Sequence, residues 1–495
     1  MRRVITTGCA ALAAFALLSS AWAQLPAEEQ ARRLLEDGRA ARSQGKIKQA
    51  LDSFGIIVTG FANTSSIDDA LLEIGRTYLE SSGDTEKARQ AFEQVATRYP
   101  QGDAAPGAYY YLGAIALERA TSAAELDDAL AQFVRLQKVY AGSQWMARAL
   151  YGAGLVHRRA RRYRESVDHQ RRVFLEYPSD EVAPNALFEC AQGLTLLGRP
   201  REAMEEYQRL RNRYPASPQA TAALDRITAL YRLYGLERPQ FSEDTGFLLP
   251  PGPVTKDVTA LLFGPNELLW VASASAGGAF SFAEGKPGTS FLAPDPVGLA
   301  PGTAGPPLLV ARLGVKSGNE PLRPLRLPTD KPGVEKPLDH ISAALPMPDG
   351  GWLASDTKLP GVCRFDGQAK YVGRFPDAAP REITRMLRDG EGDLVFLDDR
   401  AKTIRVLDGN GAALRTIGPQ GAGYVLRHPV DVAVDDARNL YVADEDEGLL
   451  VLSLEGKLLT RIGVGVLKRP SALTLAADGT LYVYDDKLKK VTRFR

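Results

Sequence analysis

The sequence predicts a multidomain protein in which an all-α array of paired helices is followed by an all-β, six-bladed propeller. From residue 27 to residue 235, apolar residues recur at spacings of three and four, which indicates successive amphipathic helices. From residue 254 onward, short apolar runs alternate with turns rich in Asp, Gly and Asn, a pattern typical of β-strands. Both patterns repeat at intervals of roughly 40 residues, so stacked repeats explain a chain of 495 residues better than one ordinary core does.

Residues 1–23 form a predicted export signal. The stretch MRRVITTGCAALAAFALL places two arginines before an apolar run, and residues 21–23 supply a small-x-small cleavage site. The run is shorter than the ~20 apolar residues that a membrane-spanning helix needs. Lipidation of Cys9 is the alternative, but the apolar stretch follows this cysteine instead of preceding it. We therefore expect a mature chain that does not span a membrane and that is periplasmic or secreted after cleavage near Ala23.

Charge, cysteines and motifs exclude several functional classes. The 61 Lys and Arg residues nearly balance the 60 Asp and Glu residues, which gives no whole-protein reason to expect nucleic-acid binding. Cys190 and Cys363 lie in different halves and are interpreted as two buried thiols, although an oxidising compartment would also permit a disulfide. The sequence contains no P-loop, HExxH or GxSxG motif, so no cofactor is expected.

Residues 24–235 are predicted to form helical pairs that repeat every 37 to 41 residues or so. One repeat shows the pattern: Gly75 is followed by Ala88, by the aromatic Phe92 and by a closing Pro100. A small residue lets paired helices approach closely, an aromatic ring fills the layer between repeats, and proline stops the second helix. Gly38, Ala50 and Phe54 repeat the first part of the pattern.

These spacings resemble the tetratricopeptide repeat family. The phrases RYPQGDAAPGAYYYLG and EYPSDEVAPNALFECAQ are similar to the subtype of Gram-negative envelope proteins such as the periplasmic Tol-Pal partner and the barrel-assembly lipoprotein. The third repeat departs from the family pattern, because the segment from Gly113 to Ala129 is too long by four residues. The resemblance implies a solenoid located in the cell envelope.

The resemblance also implies a partner-binding groove, because the first helix of each pair lines the concave side of such arrays. Three positions before the small residue of each repeat stand Leu35, Leu72, Tyr110, Tyr151 and Phe188. The predicted groove residues are Arg39, Arg76, Tyr110, Arg148, Tyr151, Arg158, Phe188 and Gln192. Arginines beside exposed aromatic rings suit a peptide that carries carboxylates and large apolar side chains. The alternative is that these aromatic residues belong to the core.

Residues 254–495 are predicted to form the propeller. Four strand runs open at Trp352, Leu394, Leu440 and Leu481, and each has Asp four positions later: Asp356, Asp398, Asp444 and Asp485. Similar runs open at Leu268 and Leu308, where Ala272 and Arg312 replace the Asp. Six units of this length, with about four strands each, fit a propeller. Residues 236–253 are predicted to be a linker whose segment 246–249 supplies a ring-closing strand to the last blade.

The stretches NLYVADEDEGLLVL and TLYVYDDKLKKVTRF resemble the NHL family of propeller repeats. We interpret the repeated acids as turn builders, because an Asp carboxylate accepts hydrogen bonds from nearby backbone N–H groups. Calcium binding by Asp444, Asp446 and Gly448 is the alternative.

The sequence therefore predicts an exported, non-enzymatic scaffold that binds protein or peptide partners through the groove and a propeller face. The basic cluster HRRARRYR at 157–164 is a candidate contact for anionic cell-wall material or lipid head groups, or else a solvated turn. The alternative function is a propeller hydrolase of the lactonase type, for which His340 and His428 are the candidate residues. Converging acids, Asn and His in the channel would favour the enzyme, whereas an apolar or Arg-lined channel would favour the scaffold.

Overall fold

The computed structural model describes residues 25–237, 239–264, 266–302, 306–329, 334–359, 361–376 and 382–495. The predicted signal peptide, with Cys9 and the cleavage site, lies outside these residues. The chain folds into two compact units, Met1–Gly193 and Leu194–Arg495. In the described part, no helix is both long enough and apolar enough to cross a membrane.

Eleven α-helices occupy the N-terminal half of the described residues. In chain order they are α1 Ala27–Ser43, α2 Ile47–Gly60, α3 Ser66–Thr77, α4 Thr85–Arg98, α5 Ala105–Arg119, α6 Ala123–Val139, α7 Met146–Arg159, α8 Tyr163–Glu176, α9 Ala183–Leu196, α10 Pro200–Arg213 and α11 Pro218–Leu230. Single π-helical turns, Tyr78–Ser82 and Tyr231–Gly235, extend α3 and α11. The first unit ends within α9, and α10 and α11 belong to the second.

The helices of the first unit pack as pairs, and small residues make the close approach within a pair feasible. A Cβ atom on Gly38 or on Gly75 would lie only 2.4 Å from the ring of Phe54 or Phe92, respectively. The long third repeat keeps the same contact, between Gly113 and the ring of Phe133. The predicted tetratricopeptide-like solenoid is therefore confirmed.

The first helices of successive pairs, α1, α3, α5 and α7, contact one another along the first unit. In a stack of curved repeats, the layer whose helices approach one another forms the inner side. On this layer the column of predicted inward residues is interrupted, because Leu35 and Leu72 are buried in the core. The cause is local packing: Leu35 lies in a cluster with Phe54, and Leu72 in one with Phe92.

Among the described residues, the second half forms six blades of three or four strands and two short hairpins. The first three blades are β1 Val258–Phe263, β2 Leu269–Ser273, β3 Gly278–Ala283 and β4 Lys286–Leu292; β5 Pro296–Ala300, β6 Leu308–Ala311 and β7 Gly314–Ser317; and β10 Ile341–Pro346, β11 Trp352–Asp356, β12 Val362–Phe365 and β13 Tyr371–Arg374. The last three are β14 Ile383–Arg388, β15 Leu394–Asp398, β16 Thr403–Leu407 and β17 Ala413–Ile417; β20 Pro429–Val434, β21 Leu440–Asp444, β22 Gly448–Leu452 and β23 Leu458–Ile462; and β24 Pro470–Leu475, β25 Leu481–Asp485 and β26 Lys490–Phe494. The hairpins are β8 Arg326–Pro328 with β9 Glu335–Pro337, and β18 Gln420–Gly421 with β19 Tyr424–Val425.

The inner strand of every blade contacts the inner strands of both neighbours, and β24 contacts β1, so the ring is closed. Within a blade the strands pair in chain order and antiparallel. Each inner strand carries a β-bulge directly after its first residue. The predicted six-bladed propeller is confirmed.

The ring-closing strand lies a few residues before the predicted segment 246–249. Glu243 forms the bridge to Phe494, and the Ser242 and Asp244 N–H groups donate to the carbonyls of residues 495 and 493 at 2.8 Å. The Asp244 carboxylate then accepts the Gly246 N–H at 3.0 Å and turns the chain away from the sheet. The edge pairing is therefore limited to 242–244, while 246–249 is not a strand.

Within the second unit, α11 and its terminal turn pack against blades 5 and 6. Arg226 pairs with Asp436, and the Tyr234 hydroxyl lies 2.8 Å from the Asn439 side-chain oxygen. Leu233 is buried in one cluster with residues of β21 and β25. The last helical pair is thus part of the same compact body as the propeller.

Candidate functional site

An aromatic cluster lies on the inner helix layer of the first unit. Tyr110 of α5 contacts Tyr111 in an edge-on arrangement at 5.1 Å and Trp145 at 5.2 Å between ring centroids. The small Gly107 one turn earlier makes room for Trp145, because a Cβ atom there would lie 2.9 Å from the indole. Trp145 is buried, whereas both tyrosines are partly exposed.

Tyr151 continues this surface on α7 and is also partly exposed. Burial, with Glu189 nearby, raises the pKa of Tyr151 to about 12, so its phenol stays protonated near neutral pH. Burial likewise raises the pKa of Tyr110. Neither hydroxyl forms a hydrogen bond to a residue that the structure describes. Two phenolic donors therefore remain available on this surface.

The predicted groove arginines near the N-terminus converge on one buried acid. Arg39 binds Glu73 at 2.8 Å and Asp69 at 3.0 Å. Arg76 lies 3.4 Å from the same Glu73 and 3.3 Å from Glu80. Because Glu73 is only 2% exposed, these arginines neutralise a buried charge within the protein.

The predicted arginines of α7 are also paired. Arg148 pairs with Glu181 and lies 5.1 Å from the centre of the Trp145 ring. Arg158 pairs with Glu189 and with the amide oxygen of the predicted groove residue Gln192. The groove therefore presents alternating Arg and Glu side chains whose charges largely cancel.

Sequence reasoning missed the acids that neutralise the groove. Glu73 and Glu189 both stand two positions before the small residue of their repeat, Gly75 and Ala191. An acid at the same position in two repeats was the sequence signal from which this neutralisation could have been predicted. The remaining predicted residue, Phe188, is partly exposed on α9. Partner binding by the eight predicted residues stays a prediction.

The basic cluster 157–164 is largely engaged within the protein. Arg159 donates to the carbonyls of Leu117 and Ala120 at the end of α5, and Arg162 binds Asp127 at 2.9 Å. His157 is buried and its ring lies 4.9 Å from that of His169. Arg159 therefore caps the end of α5, and Arg162 forms an ion pair with Asp127 near the start of α6.

In the propeller, the repeated acids order the turns. One oxygen of Asp444 accepts the N–H groups of Arg427 and His428 at 2.8 and 3.1 Å, and the other accepts those of Asp446 and Glu447 at 3.0 Å each. Asp485 accepts the corresponding four N–H groups in the last blade. The interpretation of these acids as turn builders is confirmed. Of the three residues in the calcium alternative, Asp444 has both oxygens occupied by backbone donors, and the Asp446 carboxylate contacts the His428 ring.

The first blade requires a correction of register. Its second strand begins at Leu269, not Leu268, so Ser273 rather than Ala272 occupies the place of the Asp. The Ser273 hydroxyl lies 2.8 Å from the carbonyls of Pro253 and Lys256 and accepts the Ala276 N–H at 3.2 Å. In this blade the Ser273 hydroxyl therefore orders the turn in place of an Asp carboxylate. The spacing of apolar residues did not predict this replacement.

His340 and His428 stand directly before inner strands of different blades. The His340 ring nitrogen lies 2.8 Å from Asp339, and that of His428 lies 2.6 Å from Asp446. Each histidine is therefore engaged with an acid of its own blade.

The six inner strands surround a cavity of about 380 Å³ on the propeller axis. Its lining is apolar except for Thr474 and the two arginines Arg385 and Arg388. The Arg385 Nε atom lies 2.9 Å from the buried carboxylate of Asp431 on the next blade. Among the described lining residues, these arginines are the charged ones.

A comparison with protein families supports the presence of helical repeats in the first half of the chain. The family model described as "Tetratricopeptide repeat" matches residues 69–102 and 186–217. No curated protein matches the chain.

Solved structures with similar folds match one half or the other. A streptogramin B lyase is 12% identical over 52% of this chain and 97% of its own, with a TM-score of 0.37. The WD40 propeller domain of Doa1 is 12% identical over 48% of this chain and 78% of its own, with a TM-score of 0.37. A thermophilic TPR protein of Thermus thermophilus is 18% identical over 39% of this chain and 98% of its own, with a TM-score of 0.31.

Proposed function

We propose that the protein is an exported, non-enzymatic interaction scaffold of the bacterial cell envelope. Its helical-repeat groove binds a protein or peptide partner, and its propeller presents a second binding face. The tetratricopeptide repeats support a role in protein–protein interaction. The likeness of two repeat phrases to envelope proteins, the NHL-like blade pattern and the N-terminal signal sequence support the finer parts of this proposal.

The observation that carries the proposal is the partly exposed aromatic surface on the inner helix layer. Tyr110, Tyr111 and Tyr151 keep part of their rings in solvent, and two of their hydroxyls lack a partner among the described residues. Tyrosine, tryptophan and arginine dominate the energetics of protein interfaces. Because the arginines are neutralised by acids of the protein, the expected partner changes. A peptide that offers apolar side chains and hydrogen-bond acceptors fits better than one rich in carboxylates.

The axial channel supports the non-enzymatic part of the proposal. Catalysis of hydrolysis needs acids or histidines that converge on the substrate. The described channel lining instead combines apolar side chains with two arginines. We leave anionic cell-wall or lipid contact out of the proposal, because Arg159 and Arg162 of the basic cluster are engaged within the protein.

The groove is tested by partner capture with the mature chain. A partner is isolated from envelope extract, identified, purified and titrated against the protein. We expect the double change Tyr151→Ala with Arg148→Ala to weaken binding by about 2 to 4 kcal/mol, with a nearly unchanged melting temperature.

The control changes one exposed apolar residue and one arginine on the second helix of this repeat. Leu175 and Arg172 lie on α8, and Leu175 is 59% exposed. We expect Leu175→Ala with Arg172→Ala to leave binding intact. Equal losses in both double variants would show that the groove is not the binding surface. Unfolding of the Tyr151 variant would show that the assigned register of the repeats is wrong.

Export is tested independently by mass spectrometry of the protein recovered from fractionated cells. We expect the mature N-terminus to follow Ala23 and the protein to be found in the periplasmic or secreted fraction. An intact N-terminus in the cytoplasmic fraction would contradict the location.

A further inference from the structure

The mouth of the propeller channel is formed by one equivalent residue from each blade. Because every inner strand has a bulge after its first residue, the strands align on that residue, and the fifth residue after it stands at the mouth. These six positions are Phe263, Pro301, Pro346, Arg388, Val434 and Leu475. Five of the six side chains are apolar and the sixth is a guanidinium, so the six-fold pattern is broken at one blade.

The ring of residues one step deeper is also apolar, with one exception. It consists of Leu262, Ala300, Leu345, Leu387, Ala433 and Thr474. The Thr474 hydroxyl is already engaged, because it accepts the Phe263 N–H at 3.0 Å. The walls therefore favour an apolar body, whose burial contributes about 25 cal/mol per Å². At about 380 Å³, the cavity lies within the size range of small-molecule sites.

Arg388 is the exposed cation at this mouth. It forms no hydrogen bond or ion pair with any residue that the structure describes. The acids that follow it in sequence, Asp389 and Asp393, are buried and bound to Arg438 of the next blade, with 2.8 Å between Arg438 and Asp389. Both acids thus pair with Arg438, and neither forms an ion pair with Arg388 among the described residues.

The second arginine of the channel is committed to the fold. Arg385 lies beside Asp431, whose carboxylate also accepts the N–H groups of Val432 and Leu473 at 2.8 and 2.9 Å. This arrangement ties three adjacent blades together. One positive charge, that of Arg388, therefore remains for a ligand.

We propose that the channel mouth binds a small amphiphilic anion: a medium-chain carboxylate whose carboxylate pairs with Arg388 and whose apolar chain lies in the channel. A guanidinium and a carboxylate match in geometry and charge and can form two parallel hydrogen bonds. The apolar walls offer no partner to a second negative charge, so a monoanion fits better than a dianion. This site is in the propeller and goes beyond the proposed partner binding by the helical groove.

The proposal is tested by calorimetric titration of the mature full chain with decanoate, below its micelle concentration, and with decanol as the uncharged analogue. We expect decanoate to bind, Arg388→Ala to weaken its binding at least tenfold, and Arg388→Lys to retain most of it. Decanol should bind the wild type and Arg388→Ala equally. Added salt should weaken decanoate binding alone, because salt screens an exposed charge pair.

Two further variants locate the site. Arg400→Ala removes an exposed arginine from the opposite end of the same blade and should leave decanoate binding unchanged. Val434→Trp fills the mouth and should weaken the binding of both decanoate and decanol. Its melting temperature shows whether the variant remains folded. The proposal is wrong if decanoate does not bind, if Arg388→Ala binds it as well as the wild type, or if folded Val434→Trp binds it normally. It is also wrong if a partner protein, and not decanoate, depends on Arg388, since the mouth is then a protein-docking surface.

Discussion

At the scale of single residues, one residue type performs a repeated structural task. The Asp at the end of the second strand in several blades is buried and collects backbone N–H groups from two separate turns. A charged acceptor is needed because up to four donors point at the same place, and each would otherwise lack a partner away from water. The sequence repeats the acid because every blade repeats the turn.

We expect Asp444→Ala to reduce the free energy of unfolding of the propeller by about 2 to 4 kcal/mol, because four backbone donors lose their acceptor. Denaturant unfolding followed by tryptophan fluorescence measures the change. Glu455→Ala, an exposed acid of the same blade, is the control and should cost little. Equal effects of both changes would argue against the turn-building role.

The buried His157 makes the stability of the helical unit depend on pH. Burial, with His169 and Arg162 nearby, lowers the pKa of His157 to about 4, whereas an unfolded histidine titrates near 6.5. Between these values the unfolded chain binds a proton that the folded chain does not. The contribution is therefore fully present above about pH 6.5 and is lost as the pH falls toward 4.

We expect His157→Gln to show a smaller decrease of melting temperature than the wild type between pH 6.5 and pH 4. Melting curves of both proteins across this range measure the difference. His169→Gln should show the same change to a smaller degree, because burial is the first cause of the low pKa of His157 and His169 adds to it. Parallel curves for the wild type and His157→Gln would contradict the assignment.

At the scale of elements, three residues close the propeller ring. Segment 242–244 pairs with β26 and covers an edge that would otherwise expose unpaired backbone groups. The segment is far from β26 in sequence, so its pairing also holds the two ends of the second unit's propeller together.

We expect Ser242→Pro to lower the melting temperature of the propeller, since proline lacks the N–H that binds the Arg495 carbonyl. Glu243→Pro is the matched control, because backbone bonds of this pairing come from residues 242 and 244. Differential scanning calorimetry distinguishes the two. If Ser242→Pro melts like the wild type, the edge pairing does not stabilise the ring.

At the scale of the whole molecule, the compact units do not coincide with the change from helix to strand. The last helical pair, α10 and α11, belongs to the same unit as the blades. The Arg226–Asp436 and Arg232–Asp478 ion pairs and the burial of Leu233 connect this pair to the propeller.

We therefore expect a fragment of residues 198–495 to melt at a higher temperature than a fragment of residues 236–495. The shorter fragment exposes the apolar surface that Leu233 covers and leaves Asp436 without its arginine. Thermal unfolding of both purified fragments measures the difference. Equal melting temperatures would show that the last helical pair does not stabilise the propeller.

The sequence by itself determined the repeats. Helix pairs follow from spacings of three and four residues, and blades follow from short apolar runs with an acid at a fixed distance. The contacts of Gly75 with Phe92 and the bonds of Asp444 arise within one repeat, so a local pattern is enough to predict them. The sequence also predicted that Cys190 and Cys363 are two buried thiols, and both are buried.

The tertiary structure alone decided which residues meet across repeats. It paired Arg39 with Glu73, assigned ring closure to 242–244, and brought Arg388 to an apolar mouth formed by six separate strands. These contacts join residues about 30 to 250 positions apart, and their formation depends on the curvature and closure of the repeat array. Local spacing fixes each repeat, but the geometry of stacking determines whether an arginine meets an acid of the protein or remains available to a ligand.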